Sequence, residues 1–260
     1  MTVERLEAVV ADLATIRTGW VRIRPNPLHA DRWEQVLASA PAGTFGVPKR
    51  SHVLELDADP DRLFAEQFTS SARRNVRLAQ RAGIEVEVDD EGRLVPVFHD
   101  LLMRSVERWA GAAHEPLAVA RYRAGRRDPV EKFQAWSEAM RGGCRVLVAR
   151  RDGVPIAASI VLQGANAHLT RGAMDRELVG RDRPNELLMW HAIRDASLAG
   201  CRWFHLGESG TSASLAAYKE RFGAVGIDYP EVRLERVPMT ALDRTVRRAG
   251  KRVLGVRSPS

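Results

Sequence analysis

The 260 residues read as an α+β fold in which short strands, some joined by a tight hairpin, alternate with helices. Three observations carry that expectation. Short runs such as "IEVEVD" and "RVLVARR" alternate or concentrate β-branched residues, as strands do. Segments with apolar residues three and four apart lie between those runs. Asp152-Gly153, set between two strand-like runs, is the two-residue turn of a tight hairpin.

Taken in order, helical spacing covers about residues 2–17, and "WVRIRP" reads as a strand. Pro25, Pro27, Pro41 and Pro48 break up the next stretch around a short helix, "ADRWEQVLAS". A second strand, "HVLELD", precedes the helix "DPDRLFAEQF" and an arginine-rich helix, "SSARRNVRLAQRAG", capped by Ser70 or Ser71 and stopped by Gly83. "IEVEVD" is the third strand, and Gly92 marks a boundary. Helices at about 93–110 and 128–141 lead into the strands "RVLVARR", "VPIAASIVLQG" and "AHLTRGA", with Tyr122, Arg123, Arg126 and Arg127 in a basic loop between the two helices. Pro184 opens a helix that Gly200 ends. The strand "RWFHLG", a helix through "LAAYKERFGA" and the strand "DYPEVRLERV" complete the order. The chain thus divides into residues 1–92, residues 93–238, and a basic helix and tail over 239–260.

Forty Lys+Arg against 33 Asp+Glu give a net charge of +7, which favours an anionic partner: a nucleic acid, a nucleotide-sugar or a phospholipid surface. The excess is concentrated. In "TALDRTVRRAGKRVLG" an apolar face carries Leu242, Val246, Ala249 and Val253, and Arg247, Arg248, Lys251 and Arg252 lie around the other. Arg73, Arg77 and Arg81 repeat every four residues on the earlier basic helix, so the two helices are the candidate nucleic-acid surface. Cys144 and Cys201 sit in no CxxC and near no histidine pair, so neither a metal site nor a cofactor is expected. No run reaches the ~18 apolar residues of a membrane span, and the N-terminus has no secretory pattern, which points to the cytoplasm.

Three motifs add a resemblance. "ARRNVRLAQRAGIEVEV", "LLMWHAIRDASLAGCRWFHLGES" and "YKERFGA" are similar to segments of the FemAB family of the GNAT acyltransferase superfamily. The element order from "IEVEVD" onward resembles the GNAT core. The resemblance implies a GNAT-type fold, a mixed and mostly antiparallel central sheet flanked by helices, with a complete C-terminal domain preceded by a truncated GNAT-like part over 1–92. It also implies transfer of an aminoacyl group from aminoacyl-tRNA to an amine of a peptidoglycan precursor or other small molecule. In that family the lysine of "YKERFGA" faces the negative charge of the transition state and its aromatic neighbour lines the path of the nucleotide end. Those roles fall on Lys219 and Tyr218, with Phe222 beside them.

Acyl transfer to an amine passes through a tetrahedral oxyanion, so a cation is wanted where that charge develops. Glu208, after "RWFHL", is the candidate acceptor of the amine proton, with Ser209 next to it. His205 in that strand reads as a structural histidine. Tyr122 and Arg126 are candidates for acceptor binding, because the region between the first two core helices borders the acceptor in GNAT folds. Acetyl-CoA, the alternative donor, is held in GNAT enzymes by a glycine-rich loop whose backbone N–H groups meet its pyrophosphate. The corresponding "GRDRPNELL" has no glycine after Gly180 and has Pro184 where a donor is wanted, leaving Arg181 and Arg183 to grip phosphate. A third alternative is a non-catalytic module that binds RNA or an acidic surface. A homodimer that completes the short front part, and a contact with a membrane surface, are further expectations.

Overall fold

The computed structural model of the chain describes residues 2–16 and 18–236. The elements begin α1 (Val3–Thr15), β1 (Trp20–Ile23), α2 (Ala30–Ala38), β2 (Thr44–Glu55), α3 (Pro60–Glu66), α4 (Ser70–Arg81) and β3 (Glu85–Asp89). Three helices follow: α5 (Val95–Ala113), α6 (Leu117–Arg127) and α7 (Val130–Ala139). Then come β4 (Cys144–Arg151), β5 (Val154–Gln163), β6 (Ala167–Met174), α8 (Arg176–Val179), α9 (Pro184–Leu198), β7 (Trp203–Glu208), α10 (Ala213–Glu220) and β8 (Val225–Glu235).

The chain folds as two units. The smaller takes the described residues up to Ser51, Glu208–Ser212 and the described residues from Gly226 onward; the larger takes His52–Gly207 and Ala213–Val225. In the smaller unit the strand order is β1-β8-β2, and β1 runs antiparallel to β8 with Trp20 opposite Glu235 and Ile23 opposite Val232. Leu6 and Val10 of α1 and Trp33 and Val36 of α2 bury their side chains with Val232 and Leu234. Glu231 is fully buried, so burial alone would raise its pKa. Hydrogen bonds from Arg233 and Arg24 and the nearby charge of Arg22 outweigh that and hold it below the usual carboxylate range.

In the larger unit the order is β7-β6-β5-β4-β3. Strand periodicity of two sorts the core. Leu147 and Ala149 of β4 pack with α3, α4 and α9 on one face, while Val146 and Val148 pack with α5 and α7 on the other. The β3/β4, β4/β5 and β5/β6 pairs are antiparallel and β6/β7 is parallel. Two irregularities prepare the site. In β5/β6, Ile160 faces Arg171 and Val161 faces Leu169, which leaves Thr170 unopposed as a bulge. Thr170 bonds its Oγ1 to the Ile160 carbonyl at 3.0 Å. The parallel pair is held only at Ala167–Phe204 and His168–His205, so β6 parts from β7 at its bulge.

Several expectations need correction. Residues 117–127 form α6 rather than a basic loop: Ala120 and Ala124, one helical turn apart, are buried against Val106 and Ala110 of α5. The cap of α4 is Thr69, whose Oγ1 accepts from the Ala72 N–H, rather than Ser70 or Ser71. β2 runs through Pro48 instead of starting after it. The basic C-terminal helix with Arg247, Arg248, Lys251 and Arg252, like all of 239–260, lies outside the described residues. No described helix is long and apolar enough to cross a membrane.

Candidate active site

Past its last pair with β7, β6 lines a cavity of about 210 Å³ within the larger unit. Leu169 and Met174 supply one wall, Asn185 and Leu188 of α9 another, and Tyr218 of α10 closes one side. From α5 come Ser105, Arg108 and Trp109. Ser105 and Arg108 hold the edge of β6. Ser105 Oγ accepts from the Met174 N–H and lies 3.0 Å from the Met174 carbonyl, to which Arg108 Nη1 also donates at 3.0 Å.

α10 carries the residues on which the sequence expectation was centred. Lys219, in its last turn, is buried, and its Nζ donates to the Gly207 carbonyl of β7 at 2.7 Å. Its charge reaches the strand parting: the pKa of His168 is lowered by burial, then by Arg171 and Lys219. His205, paired with His168, is pushed down to about 4, chiefly by burial. It is therefore a neutral imidazole near neutral pH, as suits a structural histidine. Tyr218 donates its hydroxyl to the Asn185 carbonyl at 3.2 Å, and burial followed by the neighbouring Glu186 raises its pKa, so it is a neutral phenol. Phe222 is fully buried, edge-on to Phe68 and to Tyr218. The structure places it beneath Tyr218 as packing, away from the cavity lining.

The turn into α9 differs from a phosphate cradle. Arg183 takes a left-handed conformation, φ 59°, at the N-cap and makes no side-chain cap bond; Pro184 is the first helical residue. The Glu186 N–H donates to the Arg183 carbonyl, and the Glu186 side chain is buried with Asn75 Nδ2 donating to it at 3.2 Å. Burial raises the Glu186 pKa. Arg181 and Arg183 are exposed.

The remaining candidates lie elsewhere. Glu208 belongs to the smaller unit, where its Oε1 accepts from Tyr229 at 2.9 Å and its Oε2 is 3.5 Å from Lys49; Ser209 beside it is buried. Tyr122 is exposed on α6 with Arg126 Nη1 donating to its hydroxyl at 3.4 Å, and neither lines the cavity. On α4, Arg77 and Arg81 are exposed, but Arg73 is half-buried and donates to the carbonyls of Ala65 and Phe68. Its guanidinium ties α3 to α4. The sequence reading missed Ser105, Arg108, Ser159 and Asn185, all on the cavity wall. The one signal available was polarity out of place: Ser159 interrupts the apolar run of β5 at a buried position.

Comparison with known proteins agrees with this architecture. Residues 66–220, more than half of the chain, match the model of an acetyltransferase (GNAT) domain. The structure of FemX superposes with a TM-score of 0.53 at 13% identity, covering 90% of this chain and 77% of FemX. A C-terminal domain assigned to a lysylphosphatidylglycerol synthetase of Agrobacterium fabrum gives 0.52 at 13% identity, with 84% and 68% covered. L-PGS from Bacillus licheniformis gives 0.50 at 10% identity, with 83% and 68% covered. No curated protein matches by sequence. A mixed, mostly antiparallel sheet parted beside a cavity, the FemX-like fold and the domain match over 66–220 make this chain a member of the acetyltransferase (GNAT) domain family, an acyltransferase.

Proposed function

We propose that the chain is an N-aminoacyltransferase that takes its aminoacyl group from aminoacyl-tRNA and transfers it to an amine of a cell-wall precursor or a secondary metabolite. The observation that carries this reading is the start of α9. A CoA pyrophosphate needs free backbone N–H groups at that helix end. Here Pro184 has none, the Glu186 N–H is spent on the Arg183 carbonyl, and a buried carboxyl stands in the first turn. An aminoacyl ester carries no pyrophosphate to seat there.

In this reading the amine nitrogen attacks the ester carbonyl carbon, the carbonyl oxygen takes up negative charge, and the C–O bond to the ribose breaks as the tetrahedral species collapses. The departing ribose hydroxyl takes a proton, and the amine loses one. Lys219 is the cation that meets the developing oxyanion, and the Tyr218 ring lines the approach of the nucleotide end. Arg77 and Arg81, exposed on α4, face the phosphates of the acceptor stem through a salt-dependent attraction. The reaction takes place in the cytoplasm, where charged tRNA is available.

A donor competition tests the proposal. Purified protein is given charged tRNAs, acetyl-CoA and an amine-bearing precursor, with and without ribonuclease. The expected result is aminoacyl transfer that ribonuclease abolishes. Acetylation in tRNA-free buffer would instead support the second reading, an acyl-CoA-dependent N-acyltransferase, which the exposed Arg181 and Arg183 beside α9 favour.

A further inference from the structure

The cavity beside β6 is mostly apolar, yet one of its polar groups has no hydrogen-bond partner and another has no counter-charge among the described residues. Ser159 is 6% exposed, and its Oγ has no hydrogen-bond partner among the described residues. Arg108 is half-buried, and no carboxylate of the described residues lies within ion-pair distance of it; the nearby Asp175 is engaged by Arg104 at 2.7 Å. Burial, then the charge of Arg176, makes the Arg108 guanidinium less comfortable than a solvated one. Buried polar groups are ordinarily hydrogen-bonded and buried charges paired. Arg108 is the one charged group among the described residues that line the cavity, so nothing there would pair an ammonium.

We propose that this cavity seats the side chain of the transferred acyl group and selects one that ends in a carboxylate, with Arg108 pairing the carboxylate and Ser159 donating to it. The assignment rests on reading the cavity as the acyl site of the transferase. The volume of about 210 Å³ leaves room for a glutamyl-sized chain. Arg108 has donors left after its single bond to the Met174 carbonyl, and a guanidinium fork suits a carboxylate. A lysyl-like chain would meet a guanidinium and no counter-charge, so the site discriminates by repulsion as well as by attraction.

Titration calorimetry with glutarate, glutaramide and 1,5-diaminopentane tests this without any donor. Glutarate should bind at least about tenfold more tightly than glutaramide, the scale of a charge-assisted hydrogen bond, and the diamine should not bind. Arg108→Gln should erase the preference, and Arg108→Lys, which keeps the charge, should retain part of it. Ser159→Ala should weaken glutarate several-fold while leaving the thermal midpoint unchanged or higher, because it removes an unpaired buried hydroxyl. A purely structural serine would give the opposite pair of results. Equal affinity for glutarate and glutaramide, absence of binding by all three probes, or an Arg108→Gln protein with the wild-type preference overturns the assignment. The donor reading fails separately: ribonuclease-resistant transfer would replace the ester donor by a thioester and leave the carboxylate preference standing.

Discussion

Lys219 holds its ammonium 2.7 Å from the Gly207 carbonyl oxygen, and the whole residue is 4% exposed. Lysine is among the residues least often buried, so this placement needs a reason. The Gly207 carbonyl fixes the direction of the ammonium at the strand that has just parted from β6. A cation held in a low-dielectric site requires little reorganisation when an oxyanion forms beside it.

Lys219→Ala should therefore lower turnover by roughly a hundredfold or more, with little change in donor affinity. Lys219→Met keeps most of the stem and separates charge from packing. Lys219→Arg should rescue only in part, because a planar fork cannot reproduce the point contact with Gly207. Steady-state kinetics that report kcat and donor KM for folded variants check this. Near-normal turnover in Lys219→Ala would reduce the residue to packing.

Tyr218 is expected to act as a wall. Its hydroxyl donates to the Asn185 carbonyl, so Tyr218→Phe should cost a few-fold in activity and about 1 kcal/mol in stability, whereas Tyr218→Ala should be worse in both. Thermal melts alongside donor KM values measure the two effects.

Phe222 and Arg73 should behave as structural residues. Phe222→Ala removes a fully buried ring packed on Phe68 and Tyr218, and a loss of about 3–5 kcal/mol in chemical denaturation is expected. Arg73→Gln should lower the thermal midpoint by freeing the Ala65 and Phe68 carbonyls. The double change Arg77→Gln and Arg81→Gln should leave the midpoint alone, weaken tRNA binding and reduce the salt slope by roughly two. Binding isotherms at several salt concentrations separate the two arginine classes.

Acid should loosen the fold through Asp128. Its side chain is buried, which alone would raise its pKa, but hydrogen bonds from Arg171, Arg127 and Lys132 outweigh burial and hold it well below the usual carboxylate range. Because the folded pKa is depressed, its stabilisation is complete above the unfolded value of about 3.9 and fades as pH falls through that value toward the folded one. Thermal midpoints recorded downward from about pH 6 should drop, and Asp128→Asn should start lower and slope less. At neutral pH that substitution should cost roughly 2 kcal/mol, reduced from a fully buried pair because the cations keep solvent.

Features that depend on neighbours along the chain are legible in the residues alone. Alternation in "IEVEVD" and the Asp152-Gly153 turn identified β3 and the β4/β5 hairpin, and Pro184 and Gly200 bounded α9. The "YKERFGA" motif marks Tyr218 and Lys219 without reference to their surroundings. Helix α6 escaped because its buried face is only Ala120 and Ala124 amid arginines, so the apolar period that marks most helices was too faint. Which polar groups are buried, and what they meet, follows from the packing of segments distant in sequence. Arg73 and Arg77 look alike in sequence, yet one is spent on backbone carbonyls and the other is exposed. Ser159 and Arg108 are fifty-one residues apart, as the numbering shows, and share a cavity wall only because α5 packs against β5 and β6. Burial and pairing are properties of three-dimensional neighbours, which no local period encodes.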